Sequence, residues 1–259
     1  MDTLITSHTQ DGITTITLNR ADKFNSFNRP MAAAFNAALQ AASADPSVRC
    51  VVITGNGKAF CAGQDLQEAV DPQGPGLRKI IEEGYNPSIL HITQMEKPVI
   101  AAVNGVAAGA GANIALACDF IIAKESASFI QAFSKIGLIP DSGGTYFLPR
   151  LVGYQRAMAQ MMLGEKVSAT EAQQMGMIYK AVVDETFDQA VQQLAQQLSS
   201  MPTRGLALTK KALQQSMTST LPQQLEHELA GQLLAGATAD HREGVQAFLE
   251  KRQPTFTGQ

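Results

Sequence analysis

Charge is the first thing this sequence is short of. Lys, Arg, Asp and Glu make up 17% of its 259 residues, below the roughly 25% of ordinary soluble domains, so part of the surface is neutral or covered by another subunit. Neither sign dominates. With 20 basic and 23 acidic residues the net charge is -3, which gives no whole-molecule attraction to nucleic acid or an anionic membrane, and neither is expected as a partner. Cysteine is also scarce: Cys50, Cys61 and Cys118 are odd in number and lack CxxC spacing. That argues against a disulfide framework or a structural zinc site and fits a reducing cytoplasm. No HExxH-like metal spacing occurs, and no metal is expected. MDTLITSHTQDG has no basic-then-apolar leader pattern, and no run of about eighteen apolar residues follows, so neither export nor a membrane span is expected.

What is present is enough apolar material, 45% of the chain, to bury a full core in one domain. Two β-like runs, Leu4 to Ser7 and Ile13 to Leu18, flank Asp11-Gly12 and predict a hairpin. Asn28-Arg29-Pro30 then reads as a helix start, and Met31, Phe35, Ala38 and Leu39 form its apolar stripe up to Asp45-Pro46. Val48 to Thr54 is a nearly continuous apolar run, suited to a strand buried on both faces. DPQGPG at 71–76 reads as a mobile surface segment, followed by a helix near Asn86 to Met95. Strand Val99 to Val103, a glycine-rich turn at 104–111, helix Ala112 to Cys118 and strand Asp119 to Ala123 come next. This strand-then-helix order predicts an α/β body to about residue 185. From Thr186 the strands give way to amphipathic helices, with breaks at Pro202 and Pro222.

The familiar catalytic signatures are missing. Gly109-Ala110-Gly111 opens like a dinucleotide fingerprint, but Ile114 stands at the third glycine position, and Gly55-Asn56-Gly57-Lys58-Ala59 is not a phosphate loop. Asp141-Ser142-Gly143-Gly144 resembles the surroundings of some nucleophilic serines. Of His8, His91, His227 and His241, however, only His91 lies in the central body, with no partner beside it, and there is no GxSxG elbow. Two features remain. Ala62 and Ala110 sit in backbone-rich turns after apolar strands, where two N–H groups would stabilise an oxyanion, or where small residues simply permit close packing. Asp141 stands among Ile136, Leu138, Ile139, Pro140 and Phe147, either as a base with a raised pKa or as an ordinary turn aspartate bonded to its own backbone.

Three segments decide the matter: GNGKAFCAGQDL (55–66), KPVIAAVNGVAAGAGANIALACDFIIA (97–123) and GLIPDSGGTYFLPRLVG (137–153) resemble the crotonase, or enoyl-CoA hydratase/isomerase, superfamily. The likeness runs from LNRADKFNSF (18–27) to REGVQAFLEKRQPTF (242–256). It implies an α/β crotonase-like spiral of ββα repeats, with a catalytic core over 1–185 and a C-terminal helical trimerisation region over 186–259. The partners it implies are an acyl-CoA thioester and further copies of the chain, as a homotrimer or dimer of trimers. It implies no cofactor, because coenzyme A belongs to the substrate.

By motif position the oxyanion donors are expected at Ala62 and Ala110. The family's hydratases carry two glutamates, and Asn113 and Phe133 stand at those positions here. The carboxylate appears instead at Asp141, where several isomerases and a dehalogenase branch of the family also carry an aspartate; the resemblance to the isomerases implies proton transfer between carbons rather than addition of water. The segments look most like the branch that rearranges a ring epoxide of a phenylacetyl thioester and also shifts enoyl double bonds. A weak hydratase and a non-catalytic acyl-CoA-binding relative are the alternatives. Lys23, Ser26, Gly63, Gln64, Asp65 and Leu66 are expected along the CoA path, with Lys251 reaching a CoA phosphate, on a neighbouring subunit if not its own. Phe24, Phe60, Tyr85, Gly109, Asn113, Phe133 and Pro140 are expected around the acyl group.

Overall fold

The computed structural model describes residues 3–259. Its strands are β1 (Ile5–Gln10), β2 (Ile13–Leu18), β3 (Cys50–Gly55), β4 (Ala59–Cys61), β5 (Val99–Val103), β6 (Val106–Ala108), β7 (Phe120–Lys124), β8 (Ser128–Ile130), β9 (Lys166–Ser168) and β10 (Lys180–Val182). β1 and β2 form the expected hairpin, with Gln10 opposite Ile13. Asp11 and Gly12 both take positive φ, +50° and +74°, the pair of left-handed residues that matches a two-residue turn to strand twist.

A six-stranded sheet has the order β1-β2-β3-β5-β7-β10 and a four-stranded sheet the order β4-β6-β8-β9. Beyond the opening hairpin, successive pairs β3/β4, β5/β6 and β7/β8 send one strand to each sheet. The parallel pairings β3–β5–β7 and β4–β6–β8 make a spiral of ββα repeats. The short strands were hidden in the sequence: the 104–111 stretch read as a turn contains β6, and the helix after it begins at Ala110 rather than Ala112.

The central strands of the large sheet, β3, β5 and β7, are buried on both faces, as the apolar run in β3 requires. Val51 and Ile53 face a core with Met31, Phe35 and Leu39 of the helix Arg29–Ala44, while Cys50 and Val52 face Phe187, Ala195 and Leu198 of the helix Phe187–Ser200. Each buried Val, Leu, Ile, Phe or Met side chain among them contributes roughly 1.5–3 kcal/mol. The strand-free region therefore starts where expected, but its first helix completes the core of the α/β body. The helices Thr203–Ser216, Leu221–Gly236 and Ala239–Glu250 follow. Pro222 does not break a helix; it occupies the first turn of Leu221–Gly236, where a missing N–H costs nothing. DPQGPG holds a turn closed by Gly74 N–H to the Asp71 carbonyl at 2.8 Å, then the short helix Gly76–Lys79. Among the described residues no helix is long and apolar enough to cross a membrane, and Cys50, Cys61 and Cys118 are free and buried.

Candidate active site

The site lies where the loops after β4 and β6 meet. Phe27 N–H donates to the Gly63 carbonyl at 2.7 Å and Asp65 N–H to the Phe27 carbonyl at 2.8 Å, an isolated parallel bridge between Phe27 and Gln64. In such a bridge the N–H of the middle residue points away from its partner, and Gln64 N–H makes no hydrogen bond within the described residues. Ala62 differs, and contrary to the sequence expectation it is not an oxyanion donor. Its N–H donates to the Phe24 carbonyl at 3.0 Å and is not free for a ligand. That carbonyl is itself fixed, because Phe24 and Asn25 hold positive φ and the buried Asn25 amide donates to the carbonyls of Asn56 at 2.9 Å and Ala59 at 2.8 Å.

Ala110 is the first residue of the helix Ala110–Leu116, so its N–H lacks an intrahelical acceptor. Gly63, with φ +90°, brings the two loops into backbone contact. A Cβ there would lie 2.9 Å from the Ala108 carbonyl oxygen and 3.4 Å from the Ala110 nitrogen. Gln64 and Ala110 thus present unengaged amides from adjoining segments. A small side chain marks Ala62 and Ala110 in the sequence, but a main-chain donor needs none. The available signal was the flexible Gly63 just before the amide and the pairing of CAGQDL with FNSF.

Asp141 lies on the turn leading to the helix Gly144–Val152. It is half-buried, and burial raises its pKa above the ordinary 3.8, opposed by the Ser142 hydroxyl that donates to its Oδ1 at 2.9 Å. Asn113 holds this turn. Its buried Nδ2 donates to the Asp141 carbonyl at 2.8 Å and its Oδ1 accepts from Gln131 Nε2 at 2.7 Å. Gly144 leaves the room for it, since a Cβ there would sit 2.4 Å from Asn113 Nδ2. Each end of the amide thus makes one structural hydrogen bond. Ile136, Leu138 and Ile139, expected to enclose Asp141, are exposed, so its desolvation does not come from them.

Tyr85, at the end of the turn Ile80–Tyr85, meets the Gln64 side chain. Its ring is 2% exposed, and its hydroxyl donates to Gln64 Oε1 at 2.9 Å. Burial first, then the Cys61, Asp141 and Glu68 groups nearby, push its phenol well above the ordinary 10. A cavity of about 200 Å³ opens beside it, lined by Ala32, Gln64, Glu68, Ile80, Gly84 and Tyr85 among others. The Phe133 ring is buried 3.8 Å from where a Gly109 Cβ would stand, and Pro140 is half-buried before Asp141. On the remaining loop, Lys23 and Leu66 are exposed, Ser26 Oγ accepts from Arg20 at 3.2 Å, and Asp65 pairs with Arg20 at 2.7 Å.

Two expected residues are not brought here. Phe60 is fully buried in the core, so its ring cannot face an acyl group without that core opening. Lys251 caps the helix Ala239–Glu250 in a left-handed conformation, on the C-terminal helices.

Comparison with known proteins places the chain among acyl-CoA enzymes. The family model described as enoyl-CoA hydratase/isomerase matches residues 8–259. The 1,2-epoxyphenylacetyl-CoA isomerase of Escherichia coli (strain K12) is 51% identical over 257 residues, 98% of each chain. A protein of Rhodobacter capsulatus described as a probable enoyl-CoA hydratase is 47% identical, over 96% of this chain and 95% of its own. The crystal structure of an enoyl-CoA hydratase from Bacillus anthracis superposes with a TM-score of 0.94 at 32% identity, covering 99% of this chain and 100% of that one.

Proposed function

The chain belongs to the enoyl-CoA hydratase/isomerase family, and from that premise we propose that it is an acyl-CoA isomerase in which Asp141 is the one acid–base group. The observation that carries this reading is the commitment of Asn113. Both ends of its amide are taken up by Gln131 and the Asp141 backbone, which leaves Asp141 as the carboxylate available at the turn.

The thioester oxygen is received by the N–H groups of Gln64 and Ala110. Asp141 removes a proton from the carbon next to the thioester carbonyl. The C–H electron pair moves onto the oxygen as an enolate, and each donor that meets it is worth about 10²–10³ in rate. The protonated Asp141 then returns the proton at the far end of the conjugated system, and the double bond moves into conjugation with the carbonyl. A raised pKa suits a group that must both take and return a proton near neutral pH. The 51% identical relative is named for a ring epoxide of a phenylacetyl thioester, and that class of aromatic-derived acyl group is the preferred candidate beside simple enoyl-CoA. No separate cofactor is required, since coenzyme A arrives with the substrate. The assembly is a homotrimer or dimer of trimers, and Lys23 with a neighbouring copy's Lys251 meets the CoA phosphates.

Hydration is the second reading, supported by the Rhodobacter relative at 47% identity. It calls for a group to activate water, and Asn113 cannot serve as one. Isomerisation of 3-enoyl-CoA and hydration of 2-enoyl-CoA measured side by side separate the two. The expected outcome is isomerisation that falls at least about a hundredfold in Asp141→Asn, the scale of a general base. Near-normal isomerisation by that variant, or hydration exceeding isomerisation in the wild type, defeats the proposal.

A further inference from the structure

The donor at Gln64 has a weakness built into its position. It follows Gly63, whose φ of +90° lies where glycine alone is at ease and where the chain has most freedom. The direction of the Gln64 N–H depends on the plane of the Gly63–Gln64 peptide, and an oxyanion donor is effective only when held in place before the charge develops.

The Gln64 side chain is held at both ends. Its Oε1 accepts from the Tyr85 hydroxyl at 2.9 Å and its Nε2 donates to Glu68 Oε2 at 3.1 Å. Each neighbour is anchored in turn. The Glu68 carboxylate accepts the Arg29 N–H at 3.0 and 2.9 Å, at the start of the helix Arg29–Ala44. The Tyr85 ring packs on Phe27 with centroids 5.9 Å apart and ends a π-helical turn, Ile80–Tyr85, in which Asn86 N–H reaches back to Ile81. Pro87, without an N–H, cannot extend ordinary helical bonding through this turn. The Gly84 carbonyl is instead caught by the buried Asn36 amide at 3.0 Å and the Ser88 hydroxyl at 2.9 Å. Wide turns of this kind often mark functional sites, and this one sets a phenol against the side chain of the donor residue.

We propose that Tyr85 and Glu68 are positioning residues that clamp the Gln64 side chain from its two ends and so hold the Gln64 main-chain N–H on the thioester oxygen; this rests on the reading above that Gln64 is a donor. Tyr85 is then not a proton donor to substrate, because its hydroxyl hydrogen is engaged by Gln64.

The test uses the full-length protein and butyryl-CoA labelled with ¹³C at the carbonyl, a saturated thioester with no double bond to move. Infrared difference spectra of the wild-type complex should show the carbonyl stretch lowered by its hydrogen bonds. Tyr85→Phe keeps the ring and should lose part of that lowering. On 3-enoyl-CoA its kcat should fall about tenfold, a fraction of the 10²–10³ attached to a whole donor, with KM changed less than about twofold. Gln64→Leu should fall similarly, and adding Tyr85→Phe to it should change nothing more, as expected of residues acting through one another. Glu68→Ala should behave like Tyr85→Phe, and Glu68→Gln, which retains an acceptor oxygen, should recover most of the loss; this pair carries the test should Tyr85→Phe not fold. A full wild-type carbonyl shift in Tyr85→Phe, or losses that multiply in the double variant, overturns the clamp. A wild type that shifts the carbonyl, loses the shift in Tyr85→Phe and yet isomerises nothing overturns the isomerase reading and leaves the clamp standing.

Discussion

The Asp141 carboxylate is half-buried, receives the Ser142 hydroxyl, and has its pKa raised chiefly by burial. The two consequences run in opposite directions. In the proposed reaction the carboxylate must be ionised to accept a proton, so kcat/KM should fall as the pH drops through the raised pKa and level off above it. For folding, a carboxylate whose native pKa exceeds its unfolded value binds its proton more tightly in the native state. The stability this adds is fully present below the ordinary 3.8 and is lost as pH rises through the native pKa. At neutral pH the ionised Asp141 therefore weakens the fold relative to a neutral isostere. Asp141→Asn, besides losing activity, should raise Tm at pH 7, and the gain should shrink as the pH is lowered and the wild-type carboxyl regains its proton. Thermal melts of both proteins across pH check this, and a variant less stable than wild type at pH 7 would show that Asp141 is held by favourable charge contacts instead.

Among the elements, those readable in the sequence are the ones whose local pattern agrees with their tertiary role. The Asp11-Gly12 hairpin, the helix with Met31, Phe35 and Leu39, and the strand Val99–Val103 each carry their own periodicity. β4, β6, β8 and β9 are three residues each, Ala59–Cys61, Val106–Ala108, Ser128–Ile130 and Lys166–Ser168, too short for alternation to register, and only pairing with distant segments defines them. The π-helical turn at Ile80–Tyr85 depends on Asn36, which lies 48 residues from its partner Gly84. The candidate site divides the same way: Asp141, Asn113 and Ala110 stand out in the sequence through the motifs that resemble the family, whereas the proposed donor Gln64 offers an amide that every residue has. The C-terminal tail is likewise a tertiary product. Asp240, 3% exposed, accepts the N–H groups of Thr257 at 2.7 Å and Gly258 at 2.8 Å, and Arg49 holds the carbonyls of Phe256 at 3.2 Å and Met201 at 2.7 Å. Asp240→Ala removes the charged acceptor of two main-chain donors, at about 1.5–3 kcal/mol for a hydrogen bond to a charged group. That predicts a Tm lower by several degrees and faster tryptic cleavage after Lys251 and Arg252. Unchanged melting and cleavage would show that the tail is held elsewhere.

At the scale of the whole molecule, a charge content of 17% meets an outer layer of apolar side chains. The helix Leu221–Gly236 buries none of its residues within the chain, yet Leu221, Leu225, Leu229 and Leu233 recur every fourth position, 71%, 54%, 55% and 69% exposed, along one slowly turning stripe. Phe248 and Leu249 of the last helix are 82% and 70% exposed. Such an apolar surface on a single chain is the mark of an interface, and burying each leucine there contributes roughly 1.5–3 kcal/mol. With a net charge of -3 the chain has no general attraction for anionic CoA, so the proposed binding of CoA rests on main-chain donors and a few placed lysines. In the proposed assembly a neighbouring copy's Lys251, which ends the helix Ala239–Glu250, would supply one of these lysines. The wild type should therefore sediment as a trimer or hexamer, and Leu229→Glu with Leu233→Glu, which sets charges into the stripe, should release monomers. If assembly supplies Lys251 to a neighbouring site, those monomers should show a raised KM for acyl-CoA, and Lys251→Ala in the intact assembly should reproduce the rise without changing sedimentation. A wild type that sediments as a monomer, or a charged stripe that still assembles, would place the interface on another face.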